Sequence, residues 1–199
     1  SIPQRTWCSF AMMNMRKSGI ASAINSLKLR QIQQIRETKT IMSSKCSENG
    51  IEIKQYTKDL IPDVLNFERD LRKEEDFWGW EIDEKYISDV SASFLNPAFD
   101  NSLSLLAYMD GKVVGRIDST LICSHFDGSV KAYLDWICVI KSYRHKGVAQ
   151  TLINTLRKKL KEKGADTLIG LIASNEEATR FYYSLPDAKI KDKGIWINL

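Results

Sequence analysis

A basic turn with a single glycine lies between two apolar stretches of the chain. It reads YRHKGVAQTLI and covers residues 143–153. An apolar run precedes the turn and an apolar-periodic stretch follows it, so the turn joins a predicted strand to a predicted helix. The first N–H groups of a helix lack intrahelical acceptors and carry the positive end of the helix dipole. With charge from Arg144 and Lys146, and with Gly147 allowing close approach to the backbone, this turn could bind a phosphate or pyrophosphate.

The same turn also has a simpler interpretation. A solvated basic turn that only begins a helix would have the same composition. One glycine is a weaker signal than a P-loop or a GxGxxG sequence, and this turn matches neither. Taken alone, the turn leaves both interpretations open.

The cysteines and histidines give little support for a metal site or a disulfide framework. The four cysteines form no CxxC pair and the chain has two histidines. We therefore expect no metal and reduced thiols, which is typical of a cytoplasmic protein. No apolar run approaches the roughly 20 residues that a membrane span needs, so we expect no membrane partner.

The positive net charge of +4 belongs to the N-terminal part of the chain. Residues 1–50 hold eight Lys or Arg and two Asp or Glu, whereas the remaining residues hold 21 and 23. The main body therefore gives no support for a nucleic-acid partner. We interpret residues 1–48 as a basic extension and residues 49–199 as the functional domain. The extension could be an organelle transit peptide, or sequence upstream of a start at Met42.

Hydrophobic periodicity beyond the extension predicts alternating strands and helices. Asp110-Gly111 marks a tight hairpin, and AYLDWICVI (132–140) is apolar enough for a central strand covered on both faces. The other predicted elements are strands at 51–56, 167–173 and 194–199 and helices at 60–71, 87–94, 152–160 and 175–185. The order β-α-α-β-β-β-α-β-α-β predicts an α/β (α+β) domain, with a single mixed, mostly antiparallel sheet of about six strands and helices on both faces.

Two linked motifs in this domain resemble those of the GNAT superfamily of N-acetyltransferases. The acetyl-CoA motif of that superfamily, Arg/Gln-x-x-Gly-x-Gly/Ala, is matched by Arg144, Gly147 and Ala149. Its Asn-x-x-Ala-x-x-Phe-Tyr helix is matched by Asn175, Ala178, Phe181 and Tyr182. The order of elements also fits, although the last segment, LPDAKIKDKGIWINL, lacks the usual Gly-Phe and is short.

The resemblance implies acetyl-CoA as co-substrate. Backbone N–H groups of residues 144–149 would hold the pyrophosphate, and the strand end at 137–139 would pair with the pantetheine arm. The thioester would then lie where strands 132–140 and 167–173 diverge. The implied cofactor-binding residues are Ile137, Cys138, Val139, Arg144, His145, Lys146, Gly147, Val148, Ala149 and Asn175.

The resemblance also implies direct attack of an amine on the thioester. Tyr182 would protonate the departing thiolate, since its reference pKa near 10 exceeds the roughly 8.5 of a thiol; a core role for this ring is the alternative. Asp135, a carboxylate in an apolar strand, would bind or deprotonate the amine, with Asp118 and Glu81 as weaker candidates. Cys138 is more typical of a packed thiol than of an acetyl-enzyme nucleophile.

An acidic stretch with two tryptophans, EEDFWGWEIDE, follows the first predicted helix. Carboxylates beside aromatic rings suit a small cationic amine, such as an aminoglycoside or a polyamine. The candidate acceptor-binding residues are Glu75, Asp76, Trp78, Trp80 and Glu81. A solvated acidic helix edge with tryptophans packed inward would give the same pattern.

Two functional alternatives stay open at this point. One is a protein lysine or N-terminal acetyltransferase. The other is a non-catalytic GNAT-like module that binds acyl-CoA as a sensor or interaction domain, against which the intact Tyr182, Asn175 and basic turn argue. We expect a monomer or a homodimer.

Overall fold

The computed structural model describes residues 50–75, 81–173, 175–191 and 197. The predicted extension 1–48 and nearly all of the predicted last strand lie outside these residues. The described elements are β1 (Glu52–Gln55), α1 (Ile61–Glu74), α2 (Glu84–Ser93), β2 (Ser102–Met109), β3 (Lys112–Cys123), β4 (Val130–Val139), α3 (Val148–Glu162), β5 (Thr167–Gly170) and α4 (Glu176–Tyr183). No described helix has the length and apolar character that crossing a membrane would require.

The five described strands form one mixed sheet in the order β1-β2-β3-β4-β5. The first four strands are antiparallel neighbours, and β5 joins β4 in parallel. α3 connects the parallel strands β4 and β5, because a parallel neighbour requires a crossover that brings the chain back to the end of the sheet where the first strand began. The predicted mixed, mostly antiparallel sheet is confirmed, with five described strands where the sequence predicts about six.

The β2–β3 hairpin turns at the predicted dipeptide. Asp110 and Gly111 have φ angles of 50° and 76°, and Met109 pairs with Lys112 across the turn. Positive φ at both central residues matches the twist of the flanking strands, and Asp-Gly is a pair that tolerates this backbone.

Helices cover both faces of the sheet, as the sequence predicts. Alternate residues point to opposite faces of a strand, so Leu105 of β2 packs in one cluster and Leu106 in the other. The first cluster is the α3-face core, and it includes the buried stripe of α3. The second is the α1-face core, and it includes the apolar residues of the buried stripe of α1. The α3 stripe is Val148, Leu152, Ile153, Leu156 and Leu160, and the α1 stripe is Ile61, Val64, Leu65, Phe67, Glu68 and Leu71.

The alternation of β4 reverses at Asp135. The register with β3 shifts there by one residue, so Asp135 is the extra residue of a β-bulge. Leu134, before the bulge, and Ile137, after it, both pack in the cluster of the α3 face, whereas Trp136 packs in that of the α1 face. β4 thus contributes side chains to both cores, as its apolar sequence predicts.

Gly115 in β3 allows α3 to begin directly on the sheet. A Cβ atom at this position would lie 2.8 Å from Val148 Cγ1, 3.1 Å from Leu152 Cδ1 and 3.3 Å from Val139 Cγ2. Val139 is the last residue of β4 and Val148 the first of α3, so the same glycine contacts both ends of the connection between them. A side chain here would displace the start of α3.

We expect Gly115→Ala to destabilise the protein by about 1–3 kcal/mol, because the new methyl group overpacks a site whose neighbours are buried. Denaturant unfolding measures this loss. Val148→Ala removes the closest of these atoms, so the double variant should lose less stability than the sum of the two single variants. Additive losses would show that the contact at Gly115 is not the constraint.

Candidate active site

The connection from β4 to α3, residues 140–147, is here named the β4–α3 loop. It begins with a 3-10 turn at Lys141–Tyr143, and His145 and Gly147 have φ angles of 60° and 83°. Left-handed residues in such a turn direct successive N–H groups to one side, where they can surround an anion. Gly147 is the N-cap of α3, and a Cβ atom there would meet no atom of the described residues within 4 Å. Space for a ligand therefore lies directly over the helix N-terminus.

Two of the three Lys and Arg side chains of this loop, Arg144 and Lys146, have different surroundings; the third, Lys141, is exposed. The Lys146 ammonium lies 4.7 Å from the centre of the Tyr143 ring. The Arg144 guanidinium forms ion pairs with Glu75 and with Glu177, the latter at 2.9 Å, and its Nε donates to the carbonyl of Val139 at 3.1 Å. Arg144 is thus bound to protein acceptors, while Lys146 extends over an aromatic ring at the exposed side of the loop.

Among the strands that the structure describes, none pairs with β4 on its β5 side between the bulge and the loop, and we call this segment the open edge of β4. Its pairing with β5 extends from Lys131–Thr167 to Leu134–Gly170, after which β4 continues to Val139. The predicted strand 167–173 is therefore too long: β5 ends at Gly170, opposite the residue before the bulge. A bulge bends its strand and interrupts the ladder, which accounts for the early end of the pairing. Ile137, Cys138 and Val139 pair with β3 on their other side.

The predicted catalytic tyrosine lies on α4, beside the α3-face core. Tyr182 is half-buried there, and its ring centre is 5.3 Å from that of Phe181 in an edge-to-face arrangement. Burial raises the pKa of the Tyr182 hydroxyl, with a smaller contribution from Tyr133.

Asn175 is the N-cap of α4, since its side-chain oxygen accepts from the Ala178 N–H at 2.7 Å. An open cavity of about 360 Å³ lies against Asn175, Glu176, Thr179 and Arg180.

Asp135 and Cys138 are both on β4 but in different surroundings. Asp135 is exposed, so its place in an apolar strand is explained by the bulge and by solvation. Cys138 packs in the α1-face cluster, where burial raises the pKa of its thiol to about 11. A thiol of this kind stays protonated at neutral pH.

Two of the predicted acceptor-binding residues lie among the described residues. Glu81 is exposed, three residues before the start of α2. Glu75 is half-buried and its carboxylate binds Arg144, so the structure joins a predicted acceptor residue to a predicted cofactor residue. Asp76, Trp78 and Trp80 lie outside the described residues.

Sequence reasoning did not predict the contacts of a second carboxylate at the end of α1. Glu74 accepts from the backbone N–H of Ser142 at 2.8 Å and from its hydroxyl at 2.9 Å. Together, Glu74 and Glu75 hold two points of the β4–α3 loop. The adjacent glutamates were visible in the sequence, but their partners are 68 and 69 residues away along the chain.

It also missed most of a buried charge cluster formed by Glu68, Arg116 and Asp118. Arg116 lies between the two carboxylates, with its Nη1 3.2 Å from Glu68 Oε1 and its Nε 2.8 Å from Asp118 Oδ2. The hydroxyl of Tyr86 on α2 donates to Glu68 at 2.6 Å. A signal existed in the sequence, because Arg116 and Asp118 share a face of an apolar strand and Glu68 falls on the buried stripe of α1.

Two aromatic rings flank the arginine of this cluster. Its Cζ lies 5.0 Å from the ring centre of Tyr56 and 5.6 Å from that of Trp136. The Tyr56 hydroxyl is buried and finds no hydrogen-bond partner among the residues that the structure describes. Burial raises the pKa of Tyr56 to about 12, although Arg116 partly opposes this shift.

Among the described residues, no group of three or more His, Cys, Asp or Glu side chains is arranged to hold a metal ion. A mixed sheet that diverges beside a glycine-containing loop at a helix N-terminus is the architecture of the GNAT fold.

Solved structures share this fold. An aminoglycoside acetyltransferase from an uncultured soil metagenomic sample, in complex with trehalose, has a TM-score of 0.65 and 18% identity, covering 76% of this chain and 98% of that chain. A ribosomal-protein-alanine N-acetyltransferase from Brucella melitensis biovar Abortus 2308 has a TM-score of 0.61 and 18% identity, with coverages of 75% and 97%. AAC(6′)-Iy, in complex with a CoA-containing bisubstrate analogue, has a TM-score of 0.59 and 19% identity, with coverages of 75% and 97%.

The sequence model of the Acetyltransferase (GNAT) family matches residues 54–185, which include the β4–α3 loop and α4. The chain belongs to the GNAT acetyltransferase family, and the resemblance stated from the two motifs is confirmed. A comparison with curated protein sequences gave no match.

We expect Tyr56→Phe to leave stability at neutral pH unchanged or raised by up to about 1 kcal/mol, because a buried hydroxyl without a partner costs free energy. The raised pKa of Tyr56 means that the wild-type protein loses stability as pH rises from about 10 through 12. The variant should lose less stability over this range. Denaturant unfolding at several pH values measures both effects.

Tyr86→Phe is the matched control, because it removes the hydroxyl that donates to the buried Glu68 carboxylate. It should cost about 1–3 kcal/mol at neutral pH. Equal losses for the two variants would contradict the assignment of an unpartnered hydroxyl to Tyr56.

Proposed function

We propose that this protein transfers the acetyl group of acetyl-CoA to a primary amine of a small cationic acceptor by direct attack. The proposal rests above all on the open edge of β4. This edge begins at the Asp135 bulge and leads into a loop whose left-handed residues surround the N-terminus of α3. A linear co-substrate with an amide-containing arm and an anionic end suits such a continuous path.

The residues of this path fit the chemical groups of acetyl-CoA. The exposed side of Gly147 leaves room for a phosphate close to the backbone, and the first N–H groups of α3 are unpaired within the helix. Lys146 adds a positive charge at the same side. The free edge at residues 135–139 offers backbone groups to the amides of the pantetheine arm, in the manner of an added strand.

Acetyl-CoA supplies a thioester carbonyl, and its C–S bond breaks as the neutral amine forms the new C–N bond. The nitrogen gives up one proton, for which the Asp135 carboxylate is the proposed acceptor, and the departing thiolate takes one up. A protein thiol could in principle accept the acetyl group first. Cys138 is poorly suited to this step, because the burial that raises its pKa to about 11 keeps it protonated. Direct attack by the amine is therefore the simpler reaction for this site.

Tyr182 is the proposed proton donor to the thiolate. Its hydroxyl stays protonated through neutral and mildly alkaline pH, because burial raises its pKa above the ordinary value. The ring is held by Phe181 and by the α3-face core, so its position is fixed by packing. Positioning of this kind gives a general acid much of its effect.

The cationic nature of the acceptor rests on fewer residues than the sequence indicates. Several carboxylates of the acidic region already have partners in the protein: Asp63 accepts from Tyr108, Asp70 from Lys73, Glu74 from Ser142 and Glu75 from Arg144. Glu81, in this region, and Asp135, at the bulge of β4, are both exposed. These two, with Asp76, Trp78 and Trp80, are the proposed contacts of the acceptor amine. The aminoglycoside acetyltransferases among the structural neighbours agree with this class of acceptor.

The direct test is release of free CoA thiol from acetyl-CoA in the presence of single amines. The panel contains an aminoglycoside, a polyamine, a lysine-containing peptide with a blocked N-terminus, and a peptide with a free N-terminal alanine. We expect thiol release with the aminoglycoside or the polyamine, and none above background without an amine. Mass spectrometry of the acceptor should show a gain of one acetyl group.

Each other result of the panel has a distinct meaning. Release with peptides alone would overturn the small cationic acceptor but not acetyl transfer. CoA binding by calorimetry without any transfer would indicate the non-catalytic module, and a failure to bind CoA would overturn the proposal entirely.

Once an acceptor is found, Tyr182→Phe should lower the turnover number by roughly 10²- to 10⁴-fold with little change in Michaelis constants, because it removes only the proton donor. The melting temperature should barely change, since the ring and its contact with Phe181 remain. The neighbouring Tyr183, which is 69% exposed, offers the control Tyr183→Phe, and its turnover should be normal. Normal turnover in the Tyr182 variant would return this residue to a purely packing role.

A further inference from the structure

The guanidinium of Arg144 bridges three elements of the fold. Its Nη1 and Nη2 bind Glu177, in the first turn of α4, and Glu75, directly after α1. Its Nε donates to the carbonyl of Val139, the last residue of β4. All three guanidinium nitrogens thus bind protein acceptors, and these acceptors come from the ends of β4, α1 and α4. We call Arg144, Glu75 and Glu177 the carboxylate clamp.

The carboxylate clamp is attached to the β4–α3 loop through Arg144, and it is partly shielded from solvent. The side chain of Arg144 is 23% exposed and that of Glu75 is 28% exposed, so salt screens this pair less than a fully solvated one. Arg suits such a position, because its planar fork holds several acceptors at fixed angles, which a lysine ammonium cannot reproduce. Glu74 adds a second attachment through the backbone N–H of Ser142.

We propose that Arg144 is a positioning residue that holds the β4–α3 loop in its anion-binding shape through Glu75, Glu177 and the Val139 carbonyl, rather than a ligand of the phosphate itself. The proposal rests on the proposed function, since it assumes that CoA binds at this loop. It assigns the positive charge that faces the ligand to Lys146 and to the helix N-terminus. It also gives Glu75 a role in cofactor binding instead of acceptor binding.

The contrary assignment makes an opposite prediction about Glu75. If Arg144 turned toward the phosphate when CoA binds, Glu75 would compete with the ligand for the guanidinium. Removing Glu75 would then improve CoA binding most when Arg144 is present. If the clamp positions the loop, removing Glu75 harms CoA binding only when Arg144 is present. The general repulsion between Glu75 and an anionic ligand acts in both backgrounds and cancels in a double-mutant cycle.

The experiment measures the dissociation constant of CoA by calorimetry for the wild type, Glu75→Ala, Arg144→Gln and the double variant. The effect of Glu75→Ala is the ratio of dissociation constants with and without the substitution. We expect this ratio to be about five-fold or more larger in the wild-type background than in the Arg144→Gln background, in line with the coupling of directly interacting residues. An equal ratio, or a smaller ratio with Arg144 present, would overturn the proposal.

Further variants separate positioning from general damage to the fold. Arg144→Lys keeps the charge but loses the fork, so it should weaken CoA binding nearly as much as Arg144→Gln; near-normal affinity would identify a charge contact with phosphate instead. Asp70→Ala breaks an exposed pair with Lys73 on α1 and should change CoA affinity equally in both backgrounds. Melting temperatures confirm that each variant is folded, and Arg144→Lys replaces Arg144→Gln in the cycle if the latter does not fold. A wild-type protein that fails to bind CoA would contradict the proposed function, whereas normal binding without the expected coupling would contradict the clamp alone.

Discussion

The close contact of α3 with Gly115 sets the position of the β4–α3 loop and of the helix N-terminus that follows it. Only a residue without a side chain lets Val148 and Val139 meet at the same point of β3. Because these two residues bracket the β4–α3 loop, the loop has fixed ends. The positions of its left-handed residues and of the first N–H groups of α3 then follow from these ends. The proposed site for an anionic ligand thus depends on packing against the sheet as well as on charge.

Charge acts in two different ways around this frame. On the α1 face, Arg116 lies between Glu68 and Asp118 and between two aromatic rings. Its charge is therefore neutralised by groups of the protein itself. Near the loop, Arg144 is likewise bound by carboxylates, whereas Lys141 and Lys146 are exposed. Counting charged residues along the chain therefore overstates the charge that a ligand meets. The acidic region after α1 is the clearest case, because several of its carboxylates have partners in the protein.

Local signals accounted for most of the fold. The Asp110-Gly111 hairpin, the order of the elements and the left-handed Gly147 depend on a few neighbouring residues, so the sequence indicates them directly. The predicted end of β5, at residue 173, was wrong by three residues, because the observed end at Gly170 depends on a bulge in another strand. The register between β3 and β4 produces that bulge, and no local pattern in AYLDWICVI indicates it.

The candidate site was predictable to a similar extent. The motifs located the loop and Tyr182, since both motifs are continuous in the sequence. The partners of Arg144 and Ser142 were not predictable, because the residues that meet there are 33 to 69 positions apart. Glu68 is intermediate: its place on the apolar stripe of α1 indicates a buried carboxylate, but not the arginine that neutralises it.

The bulge at Asp135 has a consequence for how this strand tolerates changes of length. Side chains on the α3 face occupy even positions up to Leu134 and odd positions from Ile137 onward, so the extra residue acts as a phase shift within β4. Strict alternation without the bulge would place Trp136 and Cys138 on the α3 face and Ile137 and Val139 on the α1 face, so the two cores would exchange residues over the last part of the strand. Deleting Asp135 itself, by contrast, would restore alternation with each of these four side chains on its present face. The extra residue is therefore dispensable for packing, and what its deletion would remove is the bend that ends the pairing of β4 with β5.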